Sequence, residues 1–194
     1  SVGRARAQRR ISDVNVIMFI RALSVGGAER QFVNVALGLA RRGHSVRVVV
    51  LYRENTILEQ EVEASGVPLI CLEKRSRWDL FGPIVRFRGL VAETASVVVY
   101  SFLPAANLFC SVVRTLPGAR VVWGVRCAGV AAHSTDKLGR ALVVLEERLH
   151  SLPHRVVVNS EASLLEWRGR GIAADRVVFV ANGMVSDAFR FDAE

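Results

Sequence analysis

The sequence predicts an α/β fold with a doubly wound, mostly parallel sheet of about seven strands, on three observations. Short, near-continuous runs of valine and isoleucine recur along the chain, as strands buried on both faces require. Each run is followed by a stretch with helical spacing of apolar residues, and a glycine pair, Gly26-Gly27, joins the first run to the first such stretch. Val14 to Ile20 is the first strand. After the glycines, Phe32, Val35, Ala36, Leu39 and Ala40 recur at helical spacing, with Arg30, Asn34, Arg41 and Arg42 opposite and Gly43 as a stop. Val46 to Leu51 is a second strand, Ile57 to Ala64 a short helix closed by Gly66, and Val67 to Leu72 a third strand. Asp79 is placed to cap a helix through Ile84, Phe87 and Val91, with Pro83 tolerated near its first turn. Strands four to seven are Val97 to Tyr100, Arg120 to Val125, Arg155 to Val158 and Val177 to Ala181. Between them lie helices over Pro104 to Leu116 and Leu138 to Leu149, and one capped by Ser160 or Ser163, the latter with Glu166 in capping-box spacing.

Right-handed crossovers put every strand-to-helix loop on one edge of such a sheet, and ligands are expected there, near the point where the winding reverses. Gly26 and Gly27 lie on that edge, as do Ser101 to Asn107, Arg126 to Gly129, and Asn159 with Ser160. Adjacent glycines leave no side chain between main chain and ligand. A helix opening at the same place aims free N–H groups and a positive dipole end at an anionic or oxygen-rich ligand. A plain tight turn is the competing reading, and the glycines alone favour neither.

The 194 residues, half of them hydrophobic, suffice for one compact domain from 14 to 181, preceded by a basic N-terminal tail over 1–13 that carries Arg4, Arg6, Arg9 and Arg10. The net charge of +8 comes mostly from arginine, whose planar fork suits phosphate. Nucleic acid, an anionic membrane face and a phosphorylated small molecule all satisfy that charge, but aromatics are few and no nucleic-acid reader motif is present, so nucleic acid is not expected as a partner. Cys71, Cys110 and Cys127 are widely spaced, which indicates neither a disulfide framework nor a zinc site and suits a reducing cytoplasm. No signal-peptide pattern is expected from the basic start. The uncharged run from Thr94 to Val113 contains Ser96, Ser101, Pro104 and Asn107, and reads as strand, loop and helix instead of a membrane span.

No G-x-x-x-x-G-K-[ST], G-x-S-x-G or H-E-x-x-H occurs, and no D-x-D that would hold a divalent metal with a sugar diphosphate. Gly169, Gly171 and Ala174 match G-x-G-x-x-A, but between a helix and a following strand, the wrong side of both elements. Of the four histidines, His44 and His154 fall at the opposite edge from the loops, while His133 is placed to approach a ligand.

The turn Gly26-Gly27-Ala28-Glu29-Arg30-Gln31 after a first strand resembles the N-terminal half of retaining glycosyltransferases of the GT-B fold, family GT4. Val180-Ala181-Asn182-Gly183-Met184, followed by Asp187 and Phe189, is similar to the stretch that those enzymes place between their two Rossmann-like domains. Ser101-Phe102-Leu103-Pro104 with Asn107, and Val158-Asn159-Ser160-Glu161, resemble the family's loops after strands four and six. The resemblance runs from Val14 to Phe191 and implies that residues 182–194 begin an inter-domain linker, with Asn182 and Gly183 as its hinge. It also implies a second domain, absent from this chain, that grips a nucleotide-sugar donor through basic residues and an E-x7-E pair; no two glutamates here have that spacing. The present half is then an acceptor-binding domain, inactive alone, of a cytoplasmic transferase that retains anomeric configuration without a metal cofactor. Its basic balance suits a glycan, lipid-linked or phosphorylated acceptor, presented at the inner face of an anionic membrane. A non-catalytic α/β module that binds a ligand or partner is the alternative.

Many members of that family carry a histidine after strand five, where this chain has Gly124-Val125-Arg126-Cys127. Arg126 is the candidate replacement, able to hold an acceptor phosphate or carboxylate or to offset charge on the leaving group, with a surface salt bridge as the competing role. The substrate-binding candidates are Gly26, Gly27, Glu29, Arg30, Ser101, Asn107, His133, Asn159 and Ser160. For Glu29 and Arg30 the other reading is pairing with neighbours; for Asn107, Asn159 and Ser160 it is helix capping.

Overall fold

A computed structural model of the chain describes residues 13–76, 78–126 and 137–183. Seven strands form one all-parallel sheet: β1 (Asn15–Ile20), β2 (Ser45–Val50), β3 (Leu69–Cys71), β4 (Val97–Phe102), β5 (Ala119–Val125), β6 (Arg155–Val158) and β7 (Val177–Phe179). Their order is β3-β2-β1-β4-β5-β6-β7, so the winding reverses between β1 and β4. The helices are α1 (Gly27–Arg41), α2 (Ile57–Ala64), α3 (Phe81–Ala92), α4 (Pro104–Cys110), α5 (Lys137–Arg148) and α6 (Glu161–Gly169). Helices α1 and α2 cover one face over a core of Met18, Ile20, Phe32, Val33, Val48 and Val50. On the other face α3, α4 and α6 pack onto Ile17, Phe19, Val99, Val121 and Trp123. Alternate residues of one strand thus feed two cores, which is why the strands read as unbroken apolar runs.

The predicted alternation stands, with four local differences. Asp79 does not cap α3: the N-cap is Leu80, with no side-chain bond, and the Asp79 carboxylate accepts from the Arg75 N–H at 2.9 Å. The helix expected to run to Leu116 leaves α-geometry at Cys110 and tightens into a 3-10 turn over Ser111–Val113. Strand β4 runs two residues beyond Tyr100, because Phe102 stays paired with Gly124. The third and seventh strands are shorter than their apolar runs, since each is an edge with one neighbour. Gly43 stops α1 in the left-handed region at φ 87°, as its position after the periodic stretch suggests. The run from Thr94 to Val113 folds as β4, a turn and α4, and no helix among the described residues is long and apolar enough to cross a membrane.

Candidate functional site

The carboxyl ends of β1, β4, β5 and β6 share one edge. Gly26 is the N-cap of α1 in an extended conformation, and its carbonyl accepts from the Arg30 N–H at 2.9 Å. A Cβ on Gly26 would lie 2.4 Å from Glu29 Oε2, so the carboxylate of the first helical turn folds back over the glycine. Gly27 faces open space. The Glu29 carboxylate therefore lies at the helix N-terminus, where a negative charge is favoured. Arg30 turns away from the edge and pairs with Glu61 of α2.

Arg126, one residue past β5, is the best-organised side chain of this edge. Its Nη1 donates to Asn182 Oδ1 at 2.9 Å and its Nη2 to the Tyr100 hydroxyl at 3.2 Å, while its guanidinium carbon lies 4.3 Å from the centre of the Phe102 ring. Its Nε is buried with no partner among the described residues, a donor still available to an acceptor atom. Burial raises the Tyr100 pKa above its ordinary value, and the adjacent Arg126 cation opposes that rise. Residues beyond β7 cross this edge: Val180 N–H donates to Val158 O, Asn182 meets Arg126, and Gln31 Nε2 of α1 donates to Gly183 O at 2.6 Å. Leu103, between β4 and α4, has φ 75° and ψ 153°, a conformation nearly confined to glycine, so backbone strain sits at the same edge.

Ser101 and Asn107 lie beneath this surface. Both are fully buried: Ser101 Oγ donates to Asn107 Oδ1 at 2.7 Å, and Asn107 Nδ2 donates to Gly124 O and to Glu146 Oε1. Their polar atoms are used within the core, joining β4, β5, α4 and α5, instead of facing a ligand at the edge. Glu146 has no signal in the sequence beyond an acidic residue among the apolar residues of a helix, yet it completes this network; burial pushes its pKa up to about 7, against the bond from Asn107. Ser160 caps α6, accepting from the Ser163 N–H at 3.1 Å, and Asn159 is half-buried beside it. His133 falls outside the described residues. Tyr100 carries no motif, and Phe102 and Gln31, though inside the quoted motifs, were not legible as site residues, because only strand pairing and the crossing segment bring Tyr100 and Phe102 to Arg126 and Gln31 to Gly183.

Beside this edge, on the α3/α4 face, a groove of about 680 Å³ opens between α3, α4 and α5. Its walls include Leu80, Ile84, Leu108, Phe109, Leu142 and Leu145, and Arg21 and Lys74, just past β1 and β3, stand on its lining. Trp78 and Phe81, next to Leu80, are 84% and 82% exposed. Among the described residues no group of His, Cys, Asp or Glu side chains is arranged to hold a metal ion.

A parallel doubly wound sheet, with a glycine turn and a held arginine on its carboxyl edge and an apolar groove beside that edge, defines an α/β domain of the Rossmann-like class. The chain belongs to the glycosyl transferase 4-like domain family, which it matches over residues 26–183. Its fold is that of one half of a GT-B glycosyltransferase. The structure of Anabaena Alr3699/HepE in complex with UDP-glucose superposes with a TM-score of 0.70 at 16% identity, covering 90% of this chain and 45% of that one. A glycosyltransferase from Rickettsia africae gives 0.62 at 14% identity, covering 92% and 45%. A UDP-GlcNAc 2-epimerase from Neisseria meningitidis gives 0.56 at 15% identity, covering 88% and 47%. The chain thus spans about half the length of these structures, and at such identities they establish the fold alone, an epimerase among them. No curated protein matches the chain.

Proposed function

We propose that this chain is the acceptor-binding half of a nucleotide-sugar-dependent hexosyltransferase that acts with retention on a lipid-linked acceptor at an anionic membrane face. The observation that carries this reading is the apolar groove beside the Arg126 edge, lined also by Arg21 and Lys74. An apolar trough suits a lipid chain, and the Arg21 cation on its lining suits the phosphate that joins such a chain to a sugar, beside a Lys74 ammonium that donates to Ser76 O and Asp79 O at 2.6 and 2.7 Å. Beside the groove the exposed amphipathic indole of Trp78 and the exposed apolar ring of Phe81 suit a membrane-interface contact. On this reading 182–194 starts the linker to a second domain that brings the donor, a UDP-sugar by analogy with the ligand of HepE. Asn182 and Gly183 are its hinge, and the bonds of Asn182 to Arg126 and of Gly183 to Gln31 tie that hinge to the site.

Arg126 then offsets negative charge at the cleft, on the acceptor phosphate or the departing diphosphate, with its buried Nε as the unused donor. Gly26 and Gly27 admit substrate close to the α1 amides once the Glu29 carboxylate swings aside. Ser101 and Asn107 support the edge from below, and Asn159 and Ser160 shape its β6 end. The test is sugar transfer by the complete protein to lipid-linked and lipid-free acceptors, with the Leu142→Asp variant beside the parent. The expected result is a preference for the lipid-linked acceptor that the substitution reduces at least tenfold, with the product anomer matching the donor. Equal use of both acceptors would remove the groove from the acceptor site. Transfer by the 194-residue chain alone would refute the half-enzyme reading.

A further inference from the structure

At the opposite edge, where strands begin, a second cleft of about 530 Å³ collects four arginines from separate parts of the chain. Arg114 follows the 3-10 turn after α4, Arg120 is on β5, Arg155 opens β6, and Arg176 lies just before β7. Val98 and Val122 form an apolar part of the lining, and His154 completes it. Asp175 is the one carboxylate there, 3.8 Å from Arg155 and itself 74% exposed. Arg176 is held in place by donating to Ser151 O at 3.0 Å and to Pro153 O. Arg114 and Arg120 make no side-chain hydrogen bond among the described residues, so both forks are available. Four guanidinium groups facing one carboxylate in a cleft of single-ligand size repel one another until an anion offsets them.

We propose that this cleft binds a compact phosphate-bearing anion, gripped by Arg114 and Arg120 and flanked by Arg155 and the anchored Arg176. A phosphate group carries more charge than a carboxylate and offers three oxygens to several guanidinium forks at once, where a carboxylate offers two, and the cleft volume fits a small molecule. His154 is a built-in reporter. Its Nδ1 accepts from the Val121 N–H at 3.1 Å, which leaves the ring proton on Nε2. Burial, then Arg120, Arg114 and Arg176, hold its pKa below the ordinary value. The charged groups lining the cleft with it are Arg114, Arg120, Arg155, Arg176 and Asp175; an arriving anion adds negative charge beside the ring and so moves the His154 pKa upward. None of this involves Arg126 or the apolar groove, so it stands or falls apart from the transferase reading.

The test titrates the full chain with inorganic pyrophosphate at low ionic strength, followed by calorimetry and by the His154 ring signals in NMR. One anion per chain is expected, with an upward shift of the His154 pKa. The double variant Arg114→Ala/Arg120→Ala should bind at least tenfold more weakly with unchanged circular dichroism, since neither side chain is bonded in the fold. Arg148→Ala, on α5 away from the cleft, should bind like the parent. Equal affinity of the double variant, equal loss in Arg148→Ala, or binding to phosphatidylglycerol vesicles without binding of pyrophosphate would each overturn the proposal.

Discussion

The guanidinium of Arg126 stacks on the ring of Phe102, its central carbon 4.3 Å from the ring centre, across the pair β4 and β5. Gly124 makes this possible. A Cβ there would lie 2.8 Å from Ser101 O and 2.9 Å from Phe102 Cδ2, so any larger residue meets the ring on which Arg126 rests.

Gly124→Ala should therefore destabilise the domain by about 1–3 kcal/mol, the usual cost of overpacking a filled core. Denaturant unfolding measures it. A change within about 0.5 kcal/mol, the range of neutral surface substitutions, would mean that the Phe102 ring yields freely.

Removing Arg126 has an optical consequence. Its cation holds down a Tyr100 pKa that burial raises, so Arg126→Ala should move the Tyr100 phenol titration further up, read by absorbance with Tyr52 as the only other tyrosine. In the complete protein Arg126→Ala and Arg126→Lys should both lower kcat/KM at least tenfold, because lysine cannot span Tyr100 and Asn182 together. Unchanged kinetics would take Arg126 out of the site.

Glu146 makes stability depend on pH. Its folded pKa of about 7 lies above its ordinary value of 4.5, so the folded chain holds the extra proton. The sign follows: this stabilising contribution is complete below about pH 4.5 and fades as pH rises through 7, on the order of 3 kcal/mol in all. Glu146→Gln keeps an acceptor for Asn107 and should flatten the pH dependence between those values. An unaltered slope in the variant would assign the dependence to other groups.

The two glycines of the first turn can be told apart. Gly26→Ala meets only the flexible end of Glu29 and occupies an extended conformation open to any residue, so stability should change little. Gly27→Ala stands in open space in the first turn of α1 and should stabilise the helix by up to about 1 kcal/mol. If the turn meets substrate, Gly26→Ala lowers the activity of the complete protein while its melting temperature holds. Full activity would leave the turn as a plain corner.

Local patterning sufficed for the elements and their order, because buried parallel strands and one-sided helices impose periods that any reader of the chain can count. Val46 to Leu51 or Val97 to Tyr100 could hardly be anything else, and Arg126 was placed by counting to the end of the fifth strand. The edge on which Gly26, Gly27, Arg126 and Asn159 meet followed from handedness alone. What each side chain touches did not. Ser101 and Asn107 look like loop polars in sequence, yet both are buried, because β4 extends to Phe102 and α5 brings Glu146 over Asn107. Arg30 stands in the glycine turn but is drawn to Glu61, and Tyr100, Phe102 and Gln31 gather round Arg126 and Gly183 only through partners 24 to 152 residues away. The four arginines of the second cleft are likewise scattered from 114 to 176. Sequence determined the sheet, its edge and the family. Only the tertiary packing decided which polar groups face solvent at that edge, since burial and long-range hydrogen bonds have no local period to betray them.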